Sequence, residues 1–158
     1  MAPLYPLIRQ LSPNVTEERY LHFLDDMLAE HVERFDQGER AGLLHLDLDR
    51  FKQINDTLGH DAGDALLIEA ARRIGESVRA GDMVARLGGD EFTVLLTDLE
   101  STAEIDPIAA RLIARLREPF VLGGEPARAG ASIGIAVCPD DGQSAEALLR
   151  HADQAMYE

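Results

Sequence analysis

Four carboxylates fall in two short blocks of this sequence. Asp47 and Asp49 close the stretch AGLLHLDLD, and roughly 40 residues later Asp90 and Glu91 stand in ARLGGDEFTVLL, between apolar runs that otherwise read as buried strands. Several ionised carboxylates within a few ångströms of one another repel, so without a partner at least one pKa must rise. A divalent cation removes the conflict. Two acidic side chains plus backbone carbonyls, with positions left for water and phosphate oxygens, is the usual way to hold Mg²⁺. Such a site polarises a phosphoryl group, lowers the pKa of an attacking hydroxyl and stabilises a leaving pyrophosphate. The implied chemistry is phosphoryl or nucleotidyl transfer. Taken singly, each carboxylate fits a solvated strand end equally well, so the metal reading depends on a fold that joins the two blocks.

The interval DLDRFKQINDTLGHDAGD, residues 47–64, adds polar groups and superficially looks like a calcium loop, because Asp47 and Asp49 have its first spacing. Phe51 replaces the third ligand, Lys52 takes the required glycine position, and Leu58 stands where the bidentate Glu belongs, which excludes an EF-hand. The sequence also lacks the GxxxxGK[ST] phosphate loop, so any triphosphate is cradled differently.

The elements that must position these groups follow from periodicity. Residues 16–37 place Tyr20, Phe23, Leu24, Met27, Leu28, Val32 and Phe35 at helical spacing, with Thr16 as N-cap and Gly38 as stop. Residues 41–49 alternate Leu44, Leu46 and Leu48 with His45, Asp47 and Asp49, the period of a half-buried strand. A helical turn over 50–58 ends at Gly59, and a helix over 61–79 turns Leu66, Leu67, Ala70, Ile74 and Val78 inward. MVARL and EFTVLL flank Gly88 and Gly89 as a β-hairpin with carboxylates at its tip. A helix over 101–117, a strand pair broken by GGEP, and a helix starting near Ser144 complete the chain. This order contains the βαββαβ pattern of an α+β, ferredoxin-like or palm-like sheet with flanking helices. In that arrangement the first and third strands are antiparallel central neighbours. Asp47 to Asp49 must then lie beside Asp90 to Phe92.

Composition narrows the remaining classes. The 158 residues fit one domain, and the lone Cys138 permits neither an internal disulfide nor a cysteine zinc cage, which favours a reducing compartment. A formal net charge of −14 argues against binding polymeric DNA or RNA through clustered basic residues, so a phosphate ligand has to bring its own cations. The N-terminal stretch MAPLYPLIRQLSP, with three prolines, has neither a basic leader nor a long apolar run, and no bilayer-spanning segment is present. A cytoplasmic domain without direct membrane contact is expected, within a parent protein that could be anchored elsewhere. Lys52 is the only lysine among 15 basic residues, which fits either a site that needs a compact ammonium or a surface tether.

The blocks DLDRFKQINDTLGHDAGD and RLGGDEF, with SIGIAVCPDDG and LLRHADQAMYE downstream, closely resemble the GGDEF domains, or diguanylate cyclases. Members condense two GTP molecules into cyclic di-GMP and two pyrophosphates. The resemblance covers residues 41–158, with 1–40 as a leading segment and helix. It implies that Asp47, the Leu48 carbonyl and Asp90 hold Mg²⁺ (or Mn²⁺), with Asp49 assisting a second ion. It further implies that the amides of Arg50 and Phe51 meet the terminal phosphates and that Lys52 offsets charge developing during transfer. Asn55 and Asp64 match positions that read guanine, His60 matches a third substrate-side position, and Gly88 and Gly89 let the hairpin backbone approach the ligand. Glu91 is the adjacent acid, and either it or Asp90 takes the 3′-hydroxyl proton. Arg79 and Asp82 form an RxxD pair at the spacing of the family's inhibitory cyclic di-GMP site.

Two departures from the pattern bear on activity. The DxLTGLxNR stretch common before the first helix is replaced by LSPNVTEERY, and the sequence stops at Glu158, before a segment that carries a lysine, an arginine and the last strand. Weaker triphosphate binding than in a full-length domain is therefore expected. Because one site cannot close a two-fold symmetric dinucleotide, the cyclase reading requires a homodimer. The resemblance also extends to versions fused to an EAL phosphodiesterase or a sensor domain. The alternative function is accordingly a GTP-sensing or cyclic di-GMP-binding regulatory domain of such a protein.

Overall fold

A computed structural model describes residues 17–156. Its elements run α1 (Glu17–Glu30), α2 (Val32–Asp36), β1 (Arg40–Asp49), α3 (Phe51–Leu58), α4 (His60–Ser77), β2 (Met83–Gly88) and β3 (Glu91–Leu99). After a 3₁₀ turn at Thr102–Glu104 come α5 (Ile105–Arg117), β4 (Phe120–Leu122), β5 (Glu125–Ala127), β6 (Gly130–Cys138) and α6 (Ala145–Met156). The main sheet has the order β2-β3-β1-β6, and β1 pairs antiparallel with both of its neighbours. This is the expected ferredoxin-like arrangement, with β1 and β3 side by side.

Each face of the sheet carries its own core. On one, Leu44, Leu46, Leu48, Phe92, Val94 and Leu96 pack with Leu66 and Ile74 of α4 and Leu112 of α5. On the other, Leu43, Leu95 and Ala136 pack with Tyr20, Leu24 and Leu28 of α1 and Leu148 and Ala152 of α6. Each fully buried leucine contributes about 1.5–3 kcal/mol. Two helical layers therefore clamp one sheet.

That second layer corrects the expectation of a half-buried first strand. Residues 41–46 of β1 are all buried, His45 included, because α1 and α6 cover the face that the alternation of Leu with His and Asp assigns to solvent. The helix expected over 16–37 is divided at His31, whose backbone (φ −101°, ψ 2°) ends α1 with a tight turn to the Leu28 carbonyl. Phe23 and Val32, expected on the inner face, are exposed. Thr16, expected as the cap, lies outside the described residues. The strand pair around GGEP resolves into three strands, because β4 and β5 form a separate small hairpin and only β6 joins the main sheet. Ser144 accepts the Ala147 amide at 3.2 Å, placing the start of α6 where the sequence puts it.

Candidate functional site

The hairpin tip and the end of β1 meet. Asp47 stands directly opposite Glu91 in the β1–β3 ladder and opposite Ser132 in the β1–β6 ladder. The Leu48 amide donates to the Asp90 carbonyl at 3.1 Å. Directly opposed residues of an antiparallel pair share a face, so Asp47 and Glu91 point to the α1/α6 side while Leu46, Leu48 and Phe92 point into the α4/α5 core. Asp90 belongs to the turn itself. Asp49 is exposed at the strand end, where its Oδ1 accepts the Ser132 hydroxyl at 2.9 Å.

The tip requires its glycines for conformation. Gly88 has φ 145° and Gly89 φ 50°, and neither would bring a Cβ against any neighbour, so backbone shape and not crowding selects glycine here. A register shift between Arg86 and Gly88 marks a bulge, and Arg86 Nε reaches over it to the Gly89 carbonyl at 3.0 Å. Arg86 was not singled out from the sequence. Its position two residues before Gly88 is the signal that could have found it.

Beyond β1 the chain enters α3 through Arg50, a non-glycine residue at φ 65°, and the helix start has no side-chain cap and no acidic residue in its first turn. A left-handed non-glycine residue costs about 1–3 kcal/mol and tends to occur where function demands it. The uncapped amides of such a helix start point outward from the end of β1, and Arg50 and Phe51, for which the resemblance implies a phosphate role, stand there. Lys52 is exposed and has no ion-pair partner among the described residues. Asn55, His60 and Asp64 gather at the α3–α4 corner. His60 and Asp64 are one turn apart on α4, and the Asn55 carboxamide lies against Gly63, so close that a Cβ there would come within 2.7 Å of Asn55 Cγ.

Among the described residues no group of three or more His, Cys, Asp or Glu side chains is arranged to hold a metal ion. The donor groups that Asp47, Leu48, Asp90 and Glu91 carry at this end of the sheet are all oxygens. That chemistry suits a hard divalent cation which keeps waters and phosphate oxygens in its shell.

The RxxD pair is closed on itself. Arg79 reaches the Asp82 carboxylate through Nε at 3.2 Å, Nη2 at 3.1 Å and its backbone amide at 2.8 Å, and Nη2 also donates to the Thr97 carbonyl at 2.7 Å. The hydrogen bond to Asp82 raises the guanidinium pKa above its ordinary value. Asp82 is only 1% exposed. As positioned, its carboxylate serves Arg79 and is turned away from solvent.

A second feature missing from the sequence reading lies behind Glu91. His45, buried two residues before Asp47 and on the same face, brings Nε2 to 3.3 Å from Glu91 Oε1. Thr93 is opposite His45 in the ladder, and the buried Tyr20 of α1 lies on the same face of the sheet. Burial pushes the Tyr20 pKa up to about 12, with the nearby Thr93 hydroxyl opposing part of that rise. The period of β1 carried the signal, since it puts His45 and Asp47 on one side.

The sequence matches the family described as "Diguanylate cyclase, GGDEF domain" over residues 21–158. It is 43% identical over 148 residues to MucR of Pseudomonas aeruginosa, a bifunctional diguanylate cyclase/cyclic di-GMP phosphodiesterase, covering 93% of this chain and 22% of MucR. Diguanylate cyclase TpbB of the same organism is 48% identical over 120 residues, 75% of this chain and 28% of TpbB. The crystal structure of the TpbB GGDEF domain matches with a TM-score of 0.83 at 41% identity, covering 93% of this chain and 90% of that one. The GGDEF domain of DgcB from Caulobacter crescentus, solved in complex with c-di-GMP, matches with a TM-score of 0.78 at 26% identity, covering 93% of this chain and 88% of that one. This chain thus spans less than a third of the length of either curated relative. Among the described residues no helix is long and apolar enough to cross a membrane.

Proposed function

We propose, since the chain belongs to the diguanylate cyclase GGDEF family, that it condenses two GTP molecules into cyclic di-GMP and two pyrophosphates. The observation that carries this is the junction of the two acidic blocks: Asp47 opposite Glu91, with the Leu48 amide bonded to the Asp90 carbonyl. Asp47, Asp90 and the Leu48 carbonyl would hold Mg²⁺ or Mn²⁺, with Asp49 available to a second ion. When bound, the cation offsets phosphate charge and favours departure of pyrophosphate.

The remaining steps belong to the chain. Arg50 and Phe51 present amides to the terminal phosphates from the uncapped start of α3. Lys52 supplies a positive charge to the oxygens that gain electron density as the α-phosphate is attacked. Asn55 and Asp64 read the guanine edge, the amide on the ring and the carboxylate on the N1 and N2 donors. An adenine edge would set an acceptor against that carboxylate. His60 borders the same corner, and the Gly88–Gly89 tip admits the ligand close to the backbone. Glu91, on the face of Asp47, takes the proton of the 3′-hydroxyl. Two such sites face one another in a homodimer, because each contributes one GTP to a symmetric product.

Arg79 and Asp82 supply product inhibition only after their mutual contact opens, at which point the guanidinium can meet phosphate and the carboxylate a guanine edge. A second reading follows from the resemblance to bifunctional MucR: the chain binds GTP or cyclic di-GMP as a regulatory domain fused to an EAL phosphodiesterase. Incubation with Mg²⁺ and GTP separates the two readings. Release of pyrophosphate together with cyclic di-GMP supports the cyclase, and bound GTP without product supports the regulator.

A further inference from the structure

His45 has no place in the chemistry proposed above, yet it is a buried polar side chain directly behind Glu91. Both ring nitrogens are buried and neither makes an aligned hydrogen bond, although Nε2 lies within ion-pair reach of Glu91 Oε1 at 3.3 Å. The flanking positions of β1 are leucines, at 43, 44 and 46, and a leucine at 45 would bury no polar nitrogens. A buried polar group without an aligned partner is costly, commonly by about 1–3 kcal/mol, and calls for a specific explanation. The ring forms one wall of a cavity of about 430 Å³ that Leu21 of α1, Glu91, and Glu146, Arg150 and Asp153 of α6 also line. Of these groups Glu91 is the one His45 reaches.

We infer that His45 is a positioning residue for Glu91. The ring places Nε2 at 3.3 Å from the Glu91 carboxylate, close enough to donate to it once the two groups align, and so sets which oxygen faces the incoming hydroxyl. Thr93 stands opposite His45 in the ladder, on the same buried face of the sheet as Tyr20 of α1. Glu91 is itself nearly half exposed, its side chain retaining 47% of its accessible surface, so without the ring its carboxylate would sample several rotamers at the tip. A proton acceptor held in one orientation raises kcat and leaves ground-state binding of GTP nearly unchanged.

This inference rests on the cyclase reading, so its test has one readout that needs no turnover. In the full chain, His45→Leu is expected to lower kcat roughly tenfold, a single aligned hydrogen bond's worth, with the KM for GTP within about twofold and the thermal midpoint unchanged or higher. His45→Gln, whose amide nitrogen reaches about as far as Nε2, is expected to recover most of that loss. Independently, ¹⁵N NMR of the imidazole should show the Nε2–H tautomer, and Glu91→Gln should shift the His45 nitrogens. Wild-type kcat in His45→Leu, equal losses in the Leu and Gln variants, or a loss expressed in KM overturns the inference. Imidazole resonances that ignore Glu91→Gln overturn it as well. If the wild-type chain makes no product, the cyclase reading fails, and the NMR result alone decides whether His45 orients Glu91.

Discussion

Gly63→Ala separates nucleotide recognition from stability at the α3–α4 corner. An added Cβ would run into the Asn55 carboxamide, coming within 2.7 Å of Cγ and 3.2 Å of Nδ2. These atoms end a flexible side chain, so Asn55 rotates away and the backbone of α4 stays in place. Replacing a helical glycine by alanine stabilises by about 0.4–1 kcal/mol through the unfolded chain. No hydrogen bond of the Asn55 side chain stands to be lost among the described residues. The net change in stability is therefore between zero and a gain of about 1 kcal/mol, a rise in Tm of roughly 2–4 °C at most for a chain of this size. Recognition moves the other way. Displacing the amide removes one hydrogen bond to the base, about 0.5–1.5 kcal/mol, or roughly two- to twelvefold in affinity for GTP. Differential scanning fluorimetry and calorimetric titration with GTP on the same preparation give both numbers. Unchanged GTP affinity would refute the role assigned to Asn55, and a Tm lower by more than about 5 °C would refute the claim that only a side chain yields.

Arg73 holds the end of α5, donating to the carbonyls of Arg115 at 3.0 Å, Glu118 at 2.8 Å and Pro119 at 2.8 Å, and it lies over the Phe120 ring. Arg73→Met keeps the stem but leaves the three carbonyls without their donor and Glu69 with Arg72 alone, so urea unfolding should show a loss of about 3 kcal/mol. Arg79→Ala leaves the buried Asp82 carboxylate with only the backbone amide of residue 79 and should cost about 1–3 kcal/mol; in calorimetry it should also abolish binding of cyclic di-GMP, and retained binding would remove the RxxD pair from the inhibitory role. The Glu69 carboxyl is held near a pKa of about 2, first by its hydrogen bond to Arg72 and then by Arg73, against an ordinary 4.5. A lowered folded-state pKa means that this stabilisation is present above about 4.5 and is lost as pH falls towards 2. The urea midpoint should decline over that window, less steeply in Glu69→Gln.

Much of the site was legible because strand order is a strong constraint. Once βαββαβ is recognised, β1 and β3 must be antiparallel neighbours, and the contact between Asp47–Asp49 and Asp90–Phe92 follows without coordinates; the ladder pairs Asp47 with Glu91. The second face of the sheet was not legible. Leu44, Leu46 and Leu48 alternating with His45, Asp47 and Asp49 has the period of a strand with one wet face, and nothing local to β1 reports that α1 and α6 lie over the other. The same blind spot hid His45, which looked like an outward residue and is enclosed with Thr93 and Tyr20. The break at His31 left no mark either, since Ala29, Glu30, His31 and Val32 include neither glycine nor proline. Residues 120–138 were underdivided for a related reason: GGEP reads as one interruption, whereas the separate β4–β5 hairpin is set by pairing across only three residues on each side.

Titration of Mn²⁺ in the presence of a non-hydrolysable GTP analogue, followed by electron paramagnetic resonance, addresses the shared cation most directly. If Asp47 and Asp90 ligate one ion, Asp47→Asn and Asp90→Asn each remove the tight Mn²⁺ signal, and the double variant is no worse than either single one. Additive losses in the double variant, or an intact signal in Asp90→Asn alongside a lost one in Glu91→Gln, would show that those two carboxylates do not hold the ion together.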